Sequence, residues 1–361
     1  MSPLRFLLLS AMSLALAAQP APPATPITAA QRKAALETLT KELRARYVFP
    51  EVADKVAKAI QAKAASGGYD GDATVPAFAE ALSKDLRAQG QDRHFRVMVD
   101  PDFKPEDEDE DRPPTPAEVA EARKEEAQRM YGIAKVERLP GNVGYMDLRG
   151  FGPTEIDGSA YTSALSLLSG TDALILDLRQ NGGGSPEGVA FLMSHFFAEG
   201  DVRLINSIYN RPKDTTRQFW TVAVGVRYTQ PVFVLTSPRT FSGGEECAYD
   251  FQTQKRGTLV GEVTGGGANP GAGVGLGSQM VVFIPTGKAI NPVTHTNWEH
   301  VGVKPDVAVP AADALKTAYA SILKGFIAKE KDPEQKQYLE STLARVEKGE
   351  ARVPDYSRMQ D

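Results

Sequence analysis

The chain has 361 residues, of which 42% are hydrophobic and 24% are charged, a composition typical of globular proteins. Its 41 Lys and Arg residues against 46 Asp and Glu residues give a net charge of -5, which argues against a broad basic surface for nucleic acid. The single cysteine, Cys247, excludes an internal disulfide and a metal site built from several thiolates.

The beginning of the chain has the composition of an export signal. A basic start, an apolar run and small residues up to Ala18 are typical of a secretory signal peptide, and the run is too short to span a bilayer comfortably. We predict a signal peptide at residues 1–18 and an extended mature N terminus at 19–26, with cleavage near Ala18 or Gln19. The protein would then be periplasmic or secreted, with no stable membrane insertion. An uncleaved N-terminal membrane anchor is the alternative.

Residues 27–91 are predicted to form a small helical domain. Leucines recur at helical spacing in its first part, and two further amphipathic helices are predicted at 51–65 and 75–86. An alternating segment at 92–99 predicts a strand that leaves this domain and carries His94.

An acidic insertion follows within residues 92–142. Six consecutive acidic residues at 106–111 precede a proline-rich segment and a charged helix that ends near Arg129. Because adjacent carboxylates resist desolvation without partners, we predict that residues 106–129 are mobile and solvent-exposed. The run lacks the glycine turn and ligand spacing of a calcium-binding loop, so no calcium site is assigned.

From residue 143 onward, strands and helices alternate, which predicts an α/β core over residues 143–310. The predicted strands lie at 143–148, 173–178, 231–236, 258–262 and 280–284. The predicted core helices lie at 154–168, 186–197 and 244–254. Two more helices, at 311–328 and 333–347, belong to a C-terminal segment over residues 311–361.

A first candidate for chemistry is the glycine-rich turn at residues 176–184. A buried strand ends in three glycines, and Ser185 then caps a helix that has Pro186 at its first position. Backbone N–H groups in such a turn can stabilise a developing anion, either a phosphate or a tetrahedral oxyanion. The segment lacks the lysine of a Walker loop and the spacing of a dinucleotide fingerprint. A purely structural tight turn is the alternative.

A second candidate is Ser242, which a buried strand delivers to the glycines that open a helix. This turn would expose the Ser242 hydroxyl and place the N–H of Gly243 beside a carbonyl under attack. The alternative is that Ser242 only caps the helix.

A base for Ser242 must be one of the four histidines. His195 lies in an apolar helix and is predicted to be a packing residue, whereas His295 and His300 flank a loop. His94, on a predicted strand, is the best-placed candidate, with a structural histidine as the alternative. No His-Glu-x-x-His motif or carboxylate cluster indicates a metal site.

Six segments together resemble the tail-specific, or C-terminal-processing, serine peptidases. Within them, the chain is similar to the branch of the interphotoreceptor retinoid-binding protein repeats and the tricorn protease core. The segments are Tyr-Val-Phe-Pro-Glu-Val at 47–52, Asp-Arg-His at 92–94, Leu-Asp-Leu-Arg-Gln-Asn-Gly-Gly-Gly at 176–184, Thr-Phe-Ser-Gly-Gly-Glu at 240–245, Gly-Glu-Val-Thr-Gly-Gly-Gly at 261–267 and Asn-Trp-Glu-His-Val-Gly-Val-Lys-Pro-Asp at 297–306. The resemblance implies a crotonase- and ClpP-like α/β core behind a helical N-terminal domain.

The resemblance also implies roles for single residues. Ser242 would be the nucleophile, His94 the general base and acid, and Glu299 the carboxylate that positions the histidine. Backbone N–H groups of Gly243 and of the glycine turn, Gly183 first and then Gly184, would form the oxyanion hole. The implied activity is a serine-type endopeptidase acting on peptides or unfolded proteins without a cofactor. A surface loop residue is the alternative for Glu299.

Three features depart from the family pattern. No lysine occurs between Arg256 and Lys288, where glycines at 265–267 replace the segment that carries a catalytic lysine in the classical Ser-Lys members. Arg93 stands where tricorn-like members have a serine that links the histidine to the glutamate. The interval between His94 and residue 143 is too short for an inserted PDZ-sized module, so tail recognition by such a module is not expected.

Two other functions are compatible with this scaffold. The first is a non-catalytic binder of hydrophobic, retinoid- or lipid-like ligands, but a binder has no chemical need for Ser242, His94 and Glu299 together. The second is acyl-CoA chemistry on the related crotonase core, which needs no Ser-His pair and is disfavoured by export from the cytosol.

Overall fold

The computed structural model describes residues 25–104 and 113–350. The signal peptide predicted at residues 1–18 and the acidic run at 106–111 therefore lie outside the described residues. Of the helices in the described ranges, none combines the length and the apolar character that crossing a membrane requires.

The N-terminal part of the described chain is mainly helical, and strands and helices alternate after it. In chain order, the described residues form α1 (Ala29–Arg46), α2 (Pro50–Ala65), α3 (Val75–Gly90), β1 (Arg96–Val99), α4 (Pro116–Gln128), β2 (Ile133–Leu139), β3 (Val143–Leu148), α5 (Thr154–Leu168), β4 (Ala173–Asp177), α6 (Pro186–Ser194), β5 (Leu204–Asn210), β6 (Thr215–Trp220), β7 (Val232–Thr236), α7 (Gly243–Thr253), β8 (Thr258–Gly261), β9 (Gly271–Gly277), β10 (Met280–Pro285), β11 (Gly287–Ile290), β12 (Val307–Ala308), α8 (Ala311–Ile327) and α9 (Pro333–Glu347).

The largest sheet has the strand order β12-β8-β7-β4-β3-β2 and is parallel except for β2, which pairs antiparallel with β3. Successive side chains of β4 point to opposite faces of this sheet, and both faces are covered by helices. Leu174 and Leu176 belong to the core formed with α5, α6 and α7, whereas Ala173 and Ile175 belong to the core beneath α8 and α9. A strand that is buried on both sides reads as a continuous apolar run, as this one does. The predicted α/β architecture is confirmed.

The N-terminal helices pack on a second, antiparallel sheet with the order β1-β10-β9. Leu39, Leu82 and Phe78 of these helices share one core with Val282 and Ile284 of β10. The helical unit is therefore completed by strands that come almost 200 residues later in the chain, on the order of half its length. A third antiparallel sheet, β11-β5-β6, lies beside the main one.

The charged helix predicted after the acidic run is present as α4, but it is not wholly exposed. Its Ala122 is buried and packs with Val119 against Ile156 and Tyr131. The prediction that residues up to 129 are solvent-exposed is therefore wrong for one face of this helix, because Val119 and Ala122 on that face pack against α5.

Six strands were not predicted from the sequence: β2, β5, β6, β9, β11 and β12. The clearest reason is seen in β9, whose sequence Gly-Ala-Gly-Val-Gly-Leu-Gly has low strand propensity. At Gly271 a Cβ atom would stand 2.2 Å from the carbonyl oxygen of Ile284, so close approach of the neighbouring backbone demands glycine there.

Candidate active site

Ser242 lies in a sharp turn between the loop after β7 and helix α7. Its backbone has φ 51° and ψ -122°, a conformation that non-glycine residues rarely adopt. Such strain is retained only where the surroundings hold it, and it often marks a functional position. The turn leaves the side chain half-buried at the wall of a cavity rather than packed in the core.

Glu245 holds this turn in place from behind. Its buried carboxylate accepts hydrogen bonds from the N–H of Ser242 (2.9 Å), the hydroxyl of Thr264 (2.5 Å) and the N–H groups of Gly266 (2.6 Å) and Gly267 (2.9 Å). Burial raises the pKa of Glu245 despite these donors. The carboxylate thereby connects the Ser242 turn to the glycine loop at residues 265–267. No role was predicted for Glu245 from the sequence, although the residue ends the serine motif.

The sequence predicts His94 on a strand, and this prediction is wrong. His94 lies in a turn that ends two residues before β1 begins. The turn forms because the carboxylate of Asp92 accepts a hydrogen bond from the N–H of His94 at 2.9 Å, a local bond that competes with extended pairing. The imidazole lies against Phe241, with ring centroids 4.6 Å apart. Within the described part of the chain, neither ring nitrogen of His94 has a hydrogen-bond partner.

Two carboxylates flank His94. Asp92 Oδ1 lies 3.6 Å from His94 Nδ1, and one oxygen of Glu299 completes a group in which the ligand-type atoms are all within 4.8 Å of one another. The structure therefore brings Glu299 to His94 without the linking serine. Glu299 is anchored by the N–H of Ala268, which donates to its Oε2 at 2.5 Å. Asp92 belongs to the Asp-Arg-His motif, but no role was predicted for it from the sequence.

The two carboxylates have opposite electrostatic environments. Burial, together with the negative charge of Asp92, raises the pKa of Glu299 to about 7. Burial also acts to raise the pKa of Asp92, but its contact with His94 and the hydrogen bond from Asn269 (2.9 Å) outweigh it and hold that pKa below the usual range. Asp92 is thus the permanently charged partner of the histidine, and Glu299 changes its charge near neutral pH.

The glycine loop leaves no room for a lysine near Ser242. A Cβ atom at Gly267 would stand 2.3 Å from Phe241 Cζ and 2.8 Å from His94 Cε1. Arg93 points away from the pair of carboxylates: its guanidinium donates to the carbonyl of Gly265 and lies 5.9 Å from the Phe241 ring centroid. Any side chain at position 267 of the loop would therefore displace Phe241 or the imidazole.

The glycine turn supplies one of its predicted donors but not the other. The N–H of Gly183, the favoured oxyanion donor, donates instead to Asn181 Oδ1 at 2.9 Å. Within residues 25–104 and 113–350, the N–H groups of Gly184 and Gly243 have no hydrogen-bond acceptor. Both residues line the cavity beside Ser242, whereas Gly183 does not. The geometry therefore favours Gly243 and Gly184 over Gly183. The sequence could not show which of Gly183 and Gly184 has a free N–H group, because this depends on the orientation of the Asn181 side chain.

Four of the predicted residues line one cavity of about 210 Å³, whereas Gly183 and Glu299 do not. Ser242, His94, Gly243 and Gly184 line it, and the rest of its wall is largely apolar, with Ile208 among its members. The wall also includes Ala289, Phe283 and Trp298. An apolar cavity with a few convergent polar groups is the usual form of a substrate site.

The group of Asp92, His94 and Glu299 could also offer three ligand atoms to a metal ion. Asp92 Oδ2 already accepts hydrogen bonds from Tyr47 (3.3 Å) and Asn269 (2.9 Å), which orient that carboxylate toward the histidine without an ion. The positions of Asp92, His94 and Glu299 are therefore compatible both with a histidine positioned by carboxylates and with a cation site.

None of the remaining histidines lines the cavity, but His300 Nδ1 lies 3.6 Å from Glu299 Oε1. His195 is fully buried, its Nδ1 lies 3.0 Å from the carbonyl oxygen of Phe191, and burial lowers its pKa. His295 and His300 lie in the loop that carries Glu299, and His300 is half exposed.

Comparison with known proteins identifies two matching family domains. The family described as Peptidase family S41 matches residues 142–309, and the domain described as N-terminal domain of Peptidase_S41 in eukaryotic IRBP matches residues 25–136. Carboxyl-terminal-processing peptidase 1, chloroplastic, from Arabidopsis thaliana is 28% identical over 188 residues, which are 52% of this chain and 37% of that protein. The match thus spans little more than a third of the length of this curated relative.

Solved structures share the fold at low sequence identity. The tricorn protease superposes with a TM-score of 0.52 at 14% identity, covering 88% of this chain and 37% of the other. A lipoprotein from Streptococcus agalactiae superposes with a TM-score of 0.52 at 13% identity, covering 86% of this chain and 99% of the other.

Proposed function

Because the chain belongs to peptidase family S41, with the catalytic domain and the N-terminal domain of that family, we propose that it is a serine endopeptidase that works through an acyl-enzyme. One observation carries this proposal. Ser242, His94 and two N–H groups without acceptors, those of Gly243 and Gly184, line the same cavity. A nucleophile, a base and two oxyanion donors are the complete set that acyl transfer needs.

In the proposed reaction, Ser242 Oγ attacks the scissile carbonyl while His94 takes its proton. The carbonyl oxygen becomes an oxyanion that the N–H groups of Gly243 and Gly184 stabilise. His94 then gives the proton to the leaving amine, the C–N bond breaks and an ester to Ser242 remains. A water molecule attacks this ester with His94 again as the base, which releases the acid product and restores the serine.

The carboxylates beside His94 would position and stabilise its charged form. Asp92, held ionised, lies 3.6 Å from His94 Nδ1 and would leave Nε2 as the nitrogen that takes the serine proton. Glu299, with its pKa raised to about 7, adds negative charge as the pH rises through neutrality. Arg93 takes no part in this pair because its guanidinium bonds to the glycine loop. Asp92 would thereby replace the serine link of tricorn-like relatives.

A fluorophosphonate label tests the nucleophile directly, because it reacts with a serine only where a base and an oxyanion hole activate it. We expect one label per chain on Ser242, found by peptide mass mapping, and none after Ser242→Ala. Ser163→Ala, which removes an exposed serine on α5, is the matched control and should label as the wild type does. Dialysis against EDTA should leave labelling and peptide hydrolysis unchanged, since no step uses a metal.

The outcome that contradicts the peptidase is an unlabelled Ser242 in folded wild-type protein. If the protein then bound a hydrophobic ligand in the apolar cavity, the non-catalytic binder would be the better account. Loss of activity on EDTA treatment with recovery on adding zinc would instead assign Asp92, His94 and Glu299 to a metal site.

The site of action is a separate part of the proposal. The sequence pattern over residues 1–18 supports export to the periplasm or the medium, where peptides and unfolded proteins would be the substrates. Intact-mass measurement of the protein from the exported fraction should give a chain that begins near Ala18 or Gln19. Retention of the whole N terminus in a membrane fraction would contradict export of a mature form.

A further inference from the structure

Asp92, His94 and Glu299 bring one nitrogen and two oxygens together at the spacing of metal ligands. Their side chains are 0%, 10% and 7% exposed, and one such atom from each lies within 4.8 Å of the other two. The distance from Asp92 Oδ1 to His94 Nδ1 is 3.6 Å. Two atoms bound to one zinc ion in tetrahedral geometry lie about 3.4 Å apart. The pair of Asp92 and His94 therefore has almost the spacing that a zinc ion requires.

Atoms of this group are buried without a partner. Among the described residues, neither ring nitrogen of His94 and not the Oε1 atom of Glu299 has a hydrogen-bond partner. Leaving polar atoms in this state costs free energy, and such atoms in a native fold call for an explanation. An ion that accepts lone pairs from nitrogen and oxygen would satisfy both side chains at once.

Hydrogen bonds to the other carboxylate oxygens hold the two acidic side chains in place. Asp92 Oδ2 accepts from Asn269 at 2.9 Å, and Glu299 Oε2 accepts from the N–H of Ala268 at 2.5 Å. Asp92 Oδ1 accepts the N–H of His94, but a carboxylate oxygen has lone pairs for a second partner. Carboxylates that bind metals are usually oriented by hydrogen bonds of this kind.

The charges and donor types of the group favour zinc. In the ranges 25–104 and 113–350, neither Asp92 nor Glu299 pairs with a lysine or an arginine. A divalent cation would neutralise both carboxylates, and buried charges are usually paired or bound to a metal. Zinc accepts imidazole nitrogen with carboxylate oxygen, whereas calcium and magnesium prefer oxygen alone. His94 lines the active cavity, which gives an ion a route from solvent.

Resting on the proposed function, we infer that Asp92, His94 and Glu299 bind a zinc ion that reversibly inhibits the peptidase. A neutral imidazole carries one proton, and zinc bonds to the lone pair of a ring nitrogen. Zinc on His94 Nδ1 therefore moves the ring proton to Nε2, and Nε2 can no longer take the proton of Ser242. The histidine is either the base or a zinc ligand, so zinc binding and acyl transfer exclude each other.

Inhibition is measured with wild-type protein that carries no histidine tag and has been dialysed against EDTA. We expect zinc chloride to abolish both peptide hydrolysis and fluorophosphonate labelling of Ser242, and excess EDTA to restore both. Calcium chloride and magnesium chloride at the same concentrations should have no effect. Hydrolysis that persists at saturating zinc, or that rises with zinc, would overturn the inference.

Glu299→Gln tests the ligand set in a variant that is expected to keep measurable hydrolysis. Each variant is compared with its own activity without metal. The zinc concentration for half-inhibition should rise about 10- to 100-fold, because a neutral amide replaces a charged ligand. His295→Gln removes an exposed histidine of the same loop and should be inhibited as the wild type is. Relief of inhibition by His295→Gln and not by Glu299→Gln would place the zinc on the loop surface and overturn the inference.

Isothermal titration calorimetry of Ser242→Ala with zinc chloride makes the result independent of turnover. We expect one zinc ion per chain, and no binding at this site when His94→Ala is added to Ser242→Ala. Failure of Ser242→Ala to bind zinc would overturn the inference and leave the peptidase intact. Zinc binding that depends on His94, in a wild type that hydrolyses no peptide with or without zinc, would defeat the proposed function and retain the metal site.

Discussion

Ser242 and His94 are held by side chains that the family motifs contain but do not explain. Glu245 fixes the strained serine turn through four hydrogen bonds, and Asp92 folds the turn that presents the imidazole. Each carboxylate acts on backbone N–H groups close to the residue that it supports. Ser242 and His94, the proposed nucleophile and base, are therefore positioned by local hydrogen bonds made before any substrate arrives, as preorganised catalysis requires.

Gly267 is the residue where the smallest change should displace the histidine. In Gly267→Ala, the new methyl group would meet Phe241 at 2.3 Å and His94 Cε1 at 2.8 Å, so the imidazole must move. We expect kcat/KM to fall about 100-fold or more, since misplacement of a reacting group by about 1 Å has that effect. Steady-state hydrolysis and circular dichroism measure activity and fold.

The control for this change is Gly325→Ala, because a methyl group at that helical glycine meets nothing within 4 Å. It should leave hydrolysis unchanged and leave stability equal or slightly higher. Wild-type hydrolysis by Gly267→Ala would show that His94 does not depend on the glycine loop for its position.

Helix α7, which follows Ser242, carries two buried carboxyl groups one turn apart, Glu246 and Asp250. Burial raises the pKa of Glu246 to about 8, and burial with the charge of Glu246 raises the pKa of Asp250 well above its ordinary value. Glu246 Oε1 and Asp250 Oδ2 have no hydrogen-bond partner in the described part of the chain. These groups hold protons that the unfolded chain would release.

The pH dependence of stability follows from that difference. In the unfolded chain Glu246 ionises near the ordinary glutamate pKa of 4.5, and in the folded protein near 8, so the folded state binds more protons between those values. The free energy of unfolding should therefore fall as pH rises from 5 to 8, with a contribution from Glu246 of up to about 1.4 kcal/mol per pH unit.

Glu246→Gln removes this contribution and should give a flatter profile. Urea unfolding at pH 5, 6, 7 and 8 measures it, with Glu334→Gln on an exposed helix as the control that should keep the wild-type slope. A profile for Glu246→Gln parallel to the wild type would mean that the carboxyl is not protonated in the folded state.

Elements with strong local signals could be predicted, and those defined by distant partners could not. The sequence predicts β3, α5 and α9 with the observed ends, because apolar periodicity and caps lie within each segment. The sequence does not predict β9, because this segment is a strand only through its pairing with β10. The glycines of β9 allow the backbone of β10 to approach closely.

The same distinction holds for the site. Motifs around Ser242 and His94 are local, so they could be recognised, and Glu299 was identified only through resemblance. The contact of Asp92 with Asn269 spans 177 residues, and the preference for the N–H of Gly184 over that of Gly183 depends on the hydrogen bond that Gly183 donates to Asn181. Neither is visible in a linear pattern.

The N-terminal helices and the catalytic sheet meet at the cavity, and the molecule is arranged so that both contribute to it. The helices share a core with β9 and β10, and Phe283 of β10 and Arg96 of β1 line the cavity. Trp298, whose indole N–H donates to the carbonyl of Gly267 at 2.8 Å, also lines the cavity. Unfolding of the helices should therefore disturb the active site.

A cavity made far from the site in α1 tests this coupling. Leu39→Ala removes a fully buried side chain and should lower the free energy of unfolding by about 2–5 kcal/mol. In a Trp220→Phe background, Trp298 fluorescence and far-UV circular dichroism should shift together to lower urea. Leu167→Ala, at a side chain that is 79% exposed, should move neither midpoint appreciably.

If Leu39→Ala lowered the circular dichroism midpoint alone and left the Trp298 transition in place, the helical unit would unfold independently of the site.

The most direct measurement is the hydrolysis of one peptide by Ser242→Ala, His94→Ala and the double variant, with fold checked by circular dichroism. Residues that act as one nucleophilic unit lose activity together, so each single variant should fall by roughly 10⁴-fold and the double variant should be hardly worse. Glu299→Gln should cost less, because Glu299 lies near the histidine and does not line the cavity. Wild-type hydrolysis by Ser242→Ala, or losses in the double variant that multiply those of the singles, would contradict a shared Ser242–His94 mechanism.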